Sequence, residues 1–204
     1  MVKLGKFWFP DNEKHFQTQF QYGEYQLMQR KASLSHCTDF RVCLDIGAHV
    51  GTWSQDLQYY FQQTYAFEPM EEHFKCLKAN VDRDRVHPYN VGLGSKREEV
   101  QLAYNDPTNT GTTSVSDHGE TIRIVTLDDF NFENVDYMKI DVEGYELEVL
   151  KGGAEFFTKN KPVINIEINS NSNRFGYGKA EIDNYLSKFG IHWVDRVNND
   201  YIYK

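Results

Sequence analysis

The sequence has few basic residues for its length, which limits the partners it can have. Of 204 residues, 22 are Lys or Arg and 30 are Asp or Glu, so the net charge is −8. No run of adjacent basic residues exceeds two, as at Lys96 and Arg97. Proteins that bind nucleic acid gain much of their affinity from clustered cations that neutralise phosphates. The composition therefore argues against a nucleic-acid partner.

Long hydrophobic runs are also missing. The longest apolar stretches are the length of a β-strand, far short of the ~20 residues that cross a membrane as a helix. The opening residues reach Pro10, Asp11 and Glu13 before an export-type hydrophobic segment forms. The three cysteines, at 37, 43 and 76, form no C-x-x-C pair. We expect a soluble, unexported protein of a reducing compartment, the cytoplasm, with no membrane partner.

What the sequence does contain is an alternation of strand and helix patterns from residue 41 onwards. Almost wholly apolar strands are typical of a parallel sheet covered on both faces. The predicted strands are 41–48, 64–69, 86–94, 135–142 and 162–169, and the predicted helices are 52–61, 70–81, 145–157 and 179–190. Residues 191–197 and 200–204 form a predicted antiparallel hairpin across Asn198 and Asn199. The pattern predicts an α/β fold with one doubly wound, mostly parallel sheet.

Two regions depart from the alternation. Residues 99–106 and 120–127 are predicted as two strands of an antiparallel excursion, joined by a polar loop over 107–119. Residues 1–38 carry apolar side chains at helical spacing, namely Phe16, Phe20 and Leu27 with Tyr25 and Met28 beside them. We expect an N-terminal helical segment over 1–38 that uses these side chains as core contacts, followed by the main domain over 39–204.

A glycine-containing turn follows the first predicted strand in "VCLDIGAHVGTWSQDL", residues 42–57. Ligands of open α/β sheets bind beyond the carboxyl ends of the strands, and this turn is the usual floor of the site. A dinucleotide-binding turn would read G-x-G-x-x-G, but His49 occupies the position of the middle glycine. Asp45, just before the glycines, would repel a phosphate. The turn is better suited to a ligand with a positive centre.

A second carboxylate, Glu68, ends the second strand in "YAFEP", where an acid accepts hydrogen bonds from a ribose diol. A nucleoside that bears a positive centre and no phosphate suits both acids, and S-adenosylmethionine has these properties. At this point the chain resembles the FkbM type of S-adenosylmethionine-dependent methyltransferase. The matching segments are "LDIGAHVGTWS", "YAFEP", "NVGLG", "IVTLDDF", "DYMKIDVEGYELEVLKGGAEFF" and "PVINIEI".

The resemblance implies a Rossmann-like methyltransferase fold and O-methylation of a hydroxyl on a small molecule or glycan. The residues expected to bind the cofactor are Asp45, Gly47, Ala48, His49, Gly51, Glu68, Asn90 and Asp141. Among these, Asn90 is assigned to the adenine end by the resemblance alone. The family usually has Asn in place of His49, which is expected to cover the cofactor or to act as a base.

Asp141, Glu143 and Glu167 are the candidate catalytic residues, because strand alternation directs them towards one cleft. Methyl transfer needs an aligned acceptor, and a carboxylate with a raised pKa could remove the acceptor's proton. In one account these three acids bind a divalent metal ion. In the account that we favour there is no metal, Asp141 holds the cofactor and Glu143 caps the following helix.

The acceptor is expected to lie between the polar segments 109–114 and 169–178, where Phe175 and Tyr177 could stack on a sugar ring. Two other functions compete with methyl transfer. A nicotinamide-dependent oxidoreductase shares the sheet and the acidic second strand, and His49 argues against it. A catalytically inactive S-adenosylmethionine-binding module is the other, and the retained carboxylates argue against it.

Overall fold

The structure, a computed structural model, describes residues 1–16, 25–106 and 108–204. The strands of these residues are β1 (Val2–Leu4), β2 (Phe7–Phe9), β3 (Val42–Ile46), β4 (Gln63–Phe67), β5 (Val86–Tyr89), β6 (Gly92–Leu93), β7 (Glu98–Asp106), β8 (Asn109–Ser116), β9 (Glu120–Val125), β10 (Val135–Ile140), β11 (Val163–Glu167), β12 (Trp193–Val197) and β13 (Asp200–Tyr203). The helices are α1 (Leu27–Leu34), α2 (Ser54–Leu57), α3 (Glu71–Asn80), α4 (Glu146–Lys151), α5 (Ala154–Lys159) and α6 (Lys179–Ser187). Short 3₁₀ helices cover Leu127–Phe130 and Ser170–Phe175.

The main sheet has seven strands in the order β12-β13-β11-β10-β3-β4-β5. Strands β11, β10, β3, β4 and β5 run parallel, and β13 and β12 close one edge as an antiparallel hairpin. The chain moves outwards from β3 to β5 and then returns to place β10 on the other side of β3. The strand order therefore reverses between β3 and β10, which is where open α/β sheets bind their ligands.

Both faces of the main sheet are covered, which explains its apolar strands. Leu44 and Ile46 of β3 pack into the largest hydrophobic cluster on one face. Cys43 packs with Trp53, Leu57 and other residues on the opposite face. Alternate residues of one strand thus enter two cores, as expected for a parallel sheet between two layers. The predicted fold class, parallel sheet and terminal hairpin are confirmed.

The middle of the chain differs from the expectation in one respect. Strands β7 and β9 pair antiparallel as predicted, but they form a separate four-stranded sheet in the order β6-β9-β7-β8. The predicted strand 86–94 divides between the two sheets. Most of the predicted loop 107–119 is strand β8, whose Thr and Ser side chains suit a partly exposed strand. Strand β8 of the second sheet contacts the turn after β3, because the hydroxyl of Thr110 lies 2.9 Å from Nε2 of His49, so the second sheet lies against the carboxyl edge of the first.

Two predicted helices are shorter than expected. The helix predicted over 52–61 is confined to one turn, Ser54–Leu57. The helix predicted over 145–157 divides into α4 and α5 at Gly152 and Gly153. A Cβ at Gly152 would lie 2.0 Å from the carbonyl oxygen of Gly94, so the backbones approach too closely there for any larger residue.

The expectation of a helical segment over 1–38 holds only in part. Residues 2–9 form an antiparallel hairpin instead, in which Phe7 and Phe9 are buried. Helix α1 begins at Leu27, and Phe16 is buried against Phe9 at a ring distance of 5.1 Å. Met28 is 68% exposed, so its predicted core contact is wrong. The prediction for residue 20 lies outside the described residues, and the division into two units stays a prediction.

Candidate active site

The turn after β3 is held tightly between the neighbouring strands. The backbone N–H groups of Gly47 and Ala48 both donate to the carbonyl oxygen of Phe67, at 3.1 and 2.9 Å. Gly47 has a φ of 78°, and a Cβ there would lie 1.8 Å from the carbonyl oxygen of Asp141. Only glycine combines this backbone conformation with this approach. The turn is therefore fixed against β4 on one side and the end of β10 on the other.

Glu68, at the end of β4, is buried and held by backbone donors. Its Oε2 accepts a hydrogen bond from the N–H of His49 at 2.8 Å, and its Oε1 accepts one from the N–H of Met70 at 2.8 Å. The Nδ1 atom of His73 lies 3.4 Å from Oε1. A carboxylate has about four acceptor positions, so each oxygen keeps capacity for a further donor.

An apolar cleft opens beside Glu68 and encloses about 650 Å³, partly open to solvent. Its walls come from the end of β4 and from the second sheet, including β6. Apolar side chains that line it include Phe67, Met70, Val91, Leu93, Leu102, Ile122 and Ile124. Apolar walls around one oriented carboxylate are typical of a small-molecule site.

Asp45 lies on the other side of the glycine turn and is fully buried. Its Oδ2 accepts a hydrogen bond from the hydroxyl of Ser54 at 2.5 Å, whereas its Oδ1 has no hydrogen-bond partner among the described residues. Burial raises the pKa of this carboxyl above its ordinary value, although Lys139 and Ser54 oppose the shift. A buried acceptor without a donor costs free energy. The position is suited to a ligand that brings a donor or a positive charge.

A polar cleft of about 700 Å³, also partly open to solvent, begins at Asp45. Its lining includes Gly47, Ala48, Thr52, Asn109, Thr112, Asp141, Glu143 and Glu167. Five residues line both clefts, namely Gly47, His49, Gly111, Asp141 and Glu143. The two clefts therefore meet above the glycine turn, so one ligand could extend from the apolar cleft into the polar one.

Lys139 is a charged residue of the site that sequence reasoning missed. It lies buried in β10, and its Nζ donates to Asp141 Oδ2 at 2.8 Å and lies 5.1 Å from the ring centre of Trp53. Burial lowers the pKa of this ammonium group, but the charges of Asp141 and Asp45 outweigh burial and raise the pKa overall. The available signal was a lysine inside the otherwise apolar strand "VDYMKIDV".

The predicted catalytic acids do converge on the polar cleft. Burial is the main cause that raises the pKa of Glu143 to about 7, and the charge of Asp141 adds to it. The charge of Asp141 is the main cause that raises the pKa of Glu167 to about 9, with burial second. A carboxyl group with a pKa near 7 is suited to exchange protons at neutral pH.

The predicted capping role of Glu143 is wrong. No side chain caps the start of α4. Glu146 accepts the backbone N–H of Gly144 at 2.9 Å instead, while Glu143 Oε2 accepts a hydrogen bond from Asn171 Nδ2 at 2.5 Å. Glu143 has a φ of 53°, an uncommon conformation for a residue other than glycine.

His49 joins the glycine turn to the second sheet. Its Nε2 lies 2.9 Å from the hydroxyl of Thr110, and its ring stacks on Phe16 at 5.6 Å. Burial lowers the pKa of the imidazole well below its ordinary value, so the ring is neutral. His49 has a backbone φ of 51°, in the left-handed region. Like Glu143, it is a non-glycine residue with a positive φ that lines both clefts.

Two predicted cofactor residues lie outside the lining of both clefts. Gly51 packs against α3, where a Cβ would lie 2.6 Å from Leu77 Cδ1. Asn90 is exposed and uses Nδ2 to hold the carbonyl oxygens of Glu68 and Pro69, at 3.0 and 2.9 Å. Both residues shape the turns beside the site, and their direct contact with a cofactor stays a prediction.

The two segments predicted to hold the acceptor, 109–114 and 169–178, differ in their relation to the polar cleft. Residues 109, 111 and 112 of β8 line the polar cleft. Tyr177 is buried, and its hydroxyl donates to the carbonyl oxygen of Gly144 at 2.5 Å and accepts the N–H of Leu147 at 3.1 Å. Tyr177 therefore supports the loop after β10, and the suggestion that it stacks on a sugar is wrong.

Comparison of the sequence with models of protein families identifies the family of this chain. Residues 45–192 match the model described as the methyltransferase FkbM domain. The chain belongs to the FkbM methyltransferase family. The match begins at Asp45 and includes the glycine turn, Glu68 and all three catalytic candidates. The match concerns a methyltransferase domain, so a nicotinamide-dependent oxidoreductase is not favoured.

A curated protein is similar in sequence to part of this chain. A curated relative, the hexuronic acid methyltransferase AglP of Haloferax volcanii, is 33% identical over 118 residues. The match covers 54% of this chain and 49% of AglP, so the chain aligns with about half of that relative.

Two solved structures confirm the fold. A methyltransferase FkbM from Methylobacillus flagellatus has a TM-score of 0.60 at 18% identity, over 81% of this chain and 44% of that one. A protein described as precorrin 8w decarboxylase from Methanobacterium thermoautotrophicum has a TM-score of 0.55 at 15% identity, over 100% and 99% of the two chains. At these identities the likeness concerns the fold alone.

Within residues 1–16, 25–106 and 108–204, no group of three or more His, Cys, Asp or Glu side chains has an arrangement that could hold a metal ion. In the same residues no helix is long and apolar enough to span a bilayer. Whether a metal takes part in the reaction stays a prediction.

Proposed function

We propose that the protein transfers the methyl group of S-adenosylmethionine to a hydroxyl group of a glycan. The observation that carries the proposal is the unpartnered Oδ1 of Asp45, buried at the point where the strand order reverses. When bound, S-adenosylmethionine supplies an electrophilic methyl group on a sulfonium centre. The family membership of the chain supports this cofactor.

The residues present fit this cofactor. Glu68 is oriented by two backbone donors and keeps acceptor capacity for the two hydroxyls of a ribose. The apolar walls beside it suit an adenine ring. Asp45 and the backbone of the glycine turn would hold the methionine part, whose ammonium group provides the donor that Oδ1 lacks.

The acceptor hydroxyl would lie in the polar cleft, where Glu143 and Glu167 reach it. Glu143 would remove the proton of this hydroxyl, since its pKa of about 7 matches a base that works at neutral pH. Asn171 holds Glu143 in position. Asp141 would contact the cofactor from the shared lining, and Lys139 balances its charge.

The choice of a glycan as the acceptor rests on the relative AglP, whose description names hexuronic acid. Hydroxyl and carboxyl groups are both present on such sugars. We also propose that the protein works in a reducing compartment. All three cysteines are free thiols, which supports this location.

Calorimetry with S-adenosylhomocysteine and with NAD tests the cofactor. We expect saturable binding of S-adenosylhomocysteine and none of NAD. Labelled S-adenosylmethionine and a panel of sugars then test the transfer. Mild alkali separates the products, because methyl ethers survive and methyl esters are hydrolysed. Alkali-labile label would contradict O-methylation of a hydroxyl, and tight cofactor binding without any transfer would favour an inactive module.

A further inference from the structure

The polar cleft has an unusual balance of charge for a site that receives a sugar. Its described lining contains four acidic residues, namely Asp45, Asp141, Glu143 and Glu167. The same lining contains one lysine, Lys139, and no arginine. His15 lies exposed at its rim. The remaining polar lining is uncharged and includes Gln26, Thr52, Asn109 and Thr112.

Lys139 is not available to an anionic acceptor. Its side chain is 3% exposed, and its Nζ is bound to Asp141 Oδ2 at 2.8 Å. The ring of Trp53 faces the same ammonium group at 5.1 Å, and Trp53 is itself 2% exposed. An acceptor carboxylate would have to displace Asp141 to reach this cation.

Arg174, another basic residue of the loop that follows β11, is also engaged elsewhere. Arg174 lies outside the cleft lining, and its guanidinium donates to the hydroxyl of Ser114 at 2.9 Å and to the carbonyl oxygen of Val115 at 3.0 Å. Residues 17–24, which lie outside the described residues, read QTQFQYGE and contain no Lys, Arg or His. They add no cation to any surface of the protein.

We infer that the acceptor is a neutral sugar, without a carboxylate, sulfate or phosphate group beside the hydroxyl that is methylated. This inference rests on the proposed function, because it concerns the acceptor end of the same cleft. A sugar anion placed there would lose its hydration without gaining a free lysine or arginine partner from the described lining, and it would share the cleft with the carboxylate of Asp141. Amide and hydroxyl groups such as Asn109 and Thr112 instead suit the hydroxyls of a neutral sugar.

According to this inference, the acceptor of this chain differs in charge from the acceptor of its relative AglP. AglP is described as a methyltransferase of hexuronic acid, which carries a carboxylate at neutral pH. The chain aligns with about half of AglP. Charge selection by exclusion of the wrong partner is a common way to obtain specificity.

The test compares sugars that differ only in charge. Matched glucosides, glucuronides and glucuronide methyl esters, and the corresponding galactose series, are supplied with labelled S-adenosylmethionine at pH 8. Neutral and acidic fractions of glycan hydrolysates, separated by anion exchange, extend the panel to other sugars.

We expect label in the neutral sugars, with kcat/KM at least about tenfold higher than for the matched uronate, and we expect the neutral methyl ester of the uronate to recover activity. A uronate preferred over its neutral counterpart would overturn the inference but leave the proposed function intact. Absence of label from both fractions, despite binding of S-adenosylhomocysteine, would overturn the glycan function itself.

A variant pair gives the second readout. Asn109→Lys adds a cation to the lining of the polar cleft, and Asn109→Gln controls for the loss of the asparagine. We expect Asn109→Lys to shift the uronate-to-neutral ratio of kcat/KM upwards by about tenfold relative to Asn109→Gln. An unchanged ratio in a folded Asn109→Lys protein would show that charge in this cleft does not select the acceptor.

Discussion

The two clefts use the same kind of residue in opposite ways. Glu68 and Asp45 are both buried carboxylates at the carboxyl edge of adjacent strands. Both oxygens of Glu68 accept backbone N–H groups at 2.8 Å, whereas Oδ1 of Asp45 has no hydrogen-bond partner in the described part of the chain. The apolar cleft thus holds a carboxylate already stabilised by the fold. The polar cleft holds one that a ligand must complete.

The contrast extends to the electrostatics of the two clefts. Around the apolar cleft, Glu68 is the carboxylate that has backbone support. In the polar cleft, Glu143 and Glu167 have raised pKa values, because they are crowded with Asp141 and partly buried. A preformed site recognises shape, while a crowded cluster of acids holds groups that can change protonation during a reaction.

The largest expected effect comes from removing the buried positive charge of the polar cleft. Lys139→Met should lower the free energy of unfolding by about 3 kcal/mol, because it leaves the carboxylates of Asp141 and Asp45 without their buried cation. Urea unfolding measures the change. Lys151→Met is the matched control, since Lys151 is 44% exposed and pairs with Glu148 on the surface, where the loss should stay below about 1 kcal/mol. Equal losses in the two variants would contradict the role of Lys139.

Removal of the proposed base should affect the rate more than binding. Glu143→Gln keeps the size of the side chain but cannot take a proton, so kcat should fall about 100-fold. The affinity for S-adenosylhomocysteine should change by no more than about threefold. Calorimetry and initial rates measure the two quantities, with the exposed Glu155→Gln as control. Equal losses of rate and affinity would remove Glu143 from catalysis.

Asp45→Asn tests the unpartnered acceptor. The variant keeps the shape but loses the charge that would bind the ammonium group, so the affinity for S-adenosylhomocysteine should fall about 30-fold. Adenosine lacks the methionine part and should bind the variant as it binds the wild type. Calorimetry with both ligands checks the expectation. A loss of adenosine affinity as large as that of S-adenosylhomocysteine would place Asp45 elsewhere.

Glu68→Gln should weaken the binding of both ligands, with a smaller effect than Asp45→Asn has on S-adenosylhomocysteine. The amide group of Gln would face the backbone N–H of either His49 or Met70, so the carboxylate orientation would be lost. We expect adenosine and S-adenosylhomocysteine to lose affinity together, each by about tenfold. Unchanged adenosine binding would separate Glu68 from the nucleoside.

The last prediction concerns the pH dependence of stability. The raised pKa of Glu143, about 7 against an ordinary 4.5, means that the folded protein holds this proton more tightly than the unfolded chain does. This contribution to stability is present below pH 4.5 and is lost as the pH rises through 7. The wild type should lose more stability than Glu143→Gln between pH 5 and pH 7.5 in urea unfolding. Activity should rise over the same range, because the base must lose its proton.

How far the sequence predicts this protein depends on the range of the interactions involved. The strands around Leu44 and Ile140 were readable because an apolar run that enters two cores leaves a local pattern. The division of 86–94 between two sheets was not readable, since it depends on the pairing of Gly92 with Ile124, which lies far along the chain. The hairpin over residues 2–9 was missed for a similar reason, because it packs on α3 through Trp8 and Asn80.

The candidate site divides in the same way. Asp45, Gly47 and Glu68 were predicted because each ends a strand, and the ends of neighbouring parallel strands meet at one edge. The role of Lys139 could not be read from its position, because its charge is tolerated only where Asp141 and Trp53 surround it. The helix cap assigned to Glu143 was wrong because Asn171, 28 residues away, competes for its carboxylate.

The sequence by itself determined the parallel strands of the main sheet, the terminal hairpin, the glycine turn and the acids at the strand ends, because these follow from local backbone preferences and from the alternation of buried positions. Only the tertiary structure decided that a second sheet lies against the carboxyl edge, that one carboxylate is satisfied while its neighbour is not, and that a buried lysine balances the polar cleft. Those features depend on which distant groups meet, and the free energy of a buried charge is set by its neighbours in space.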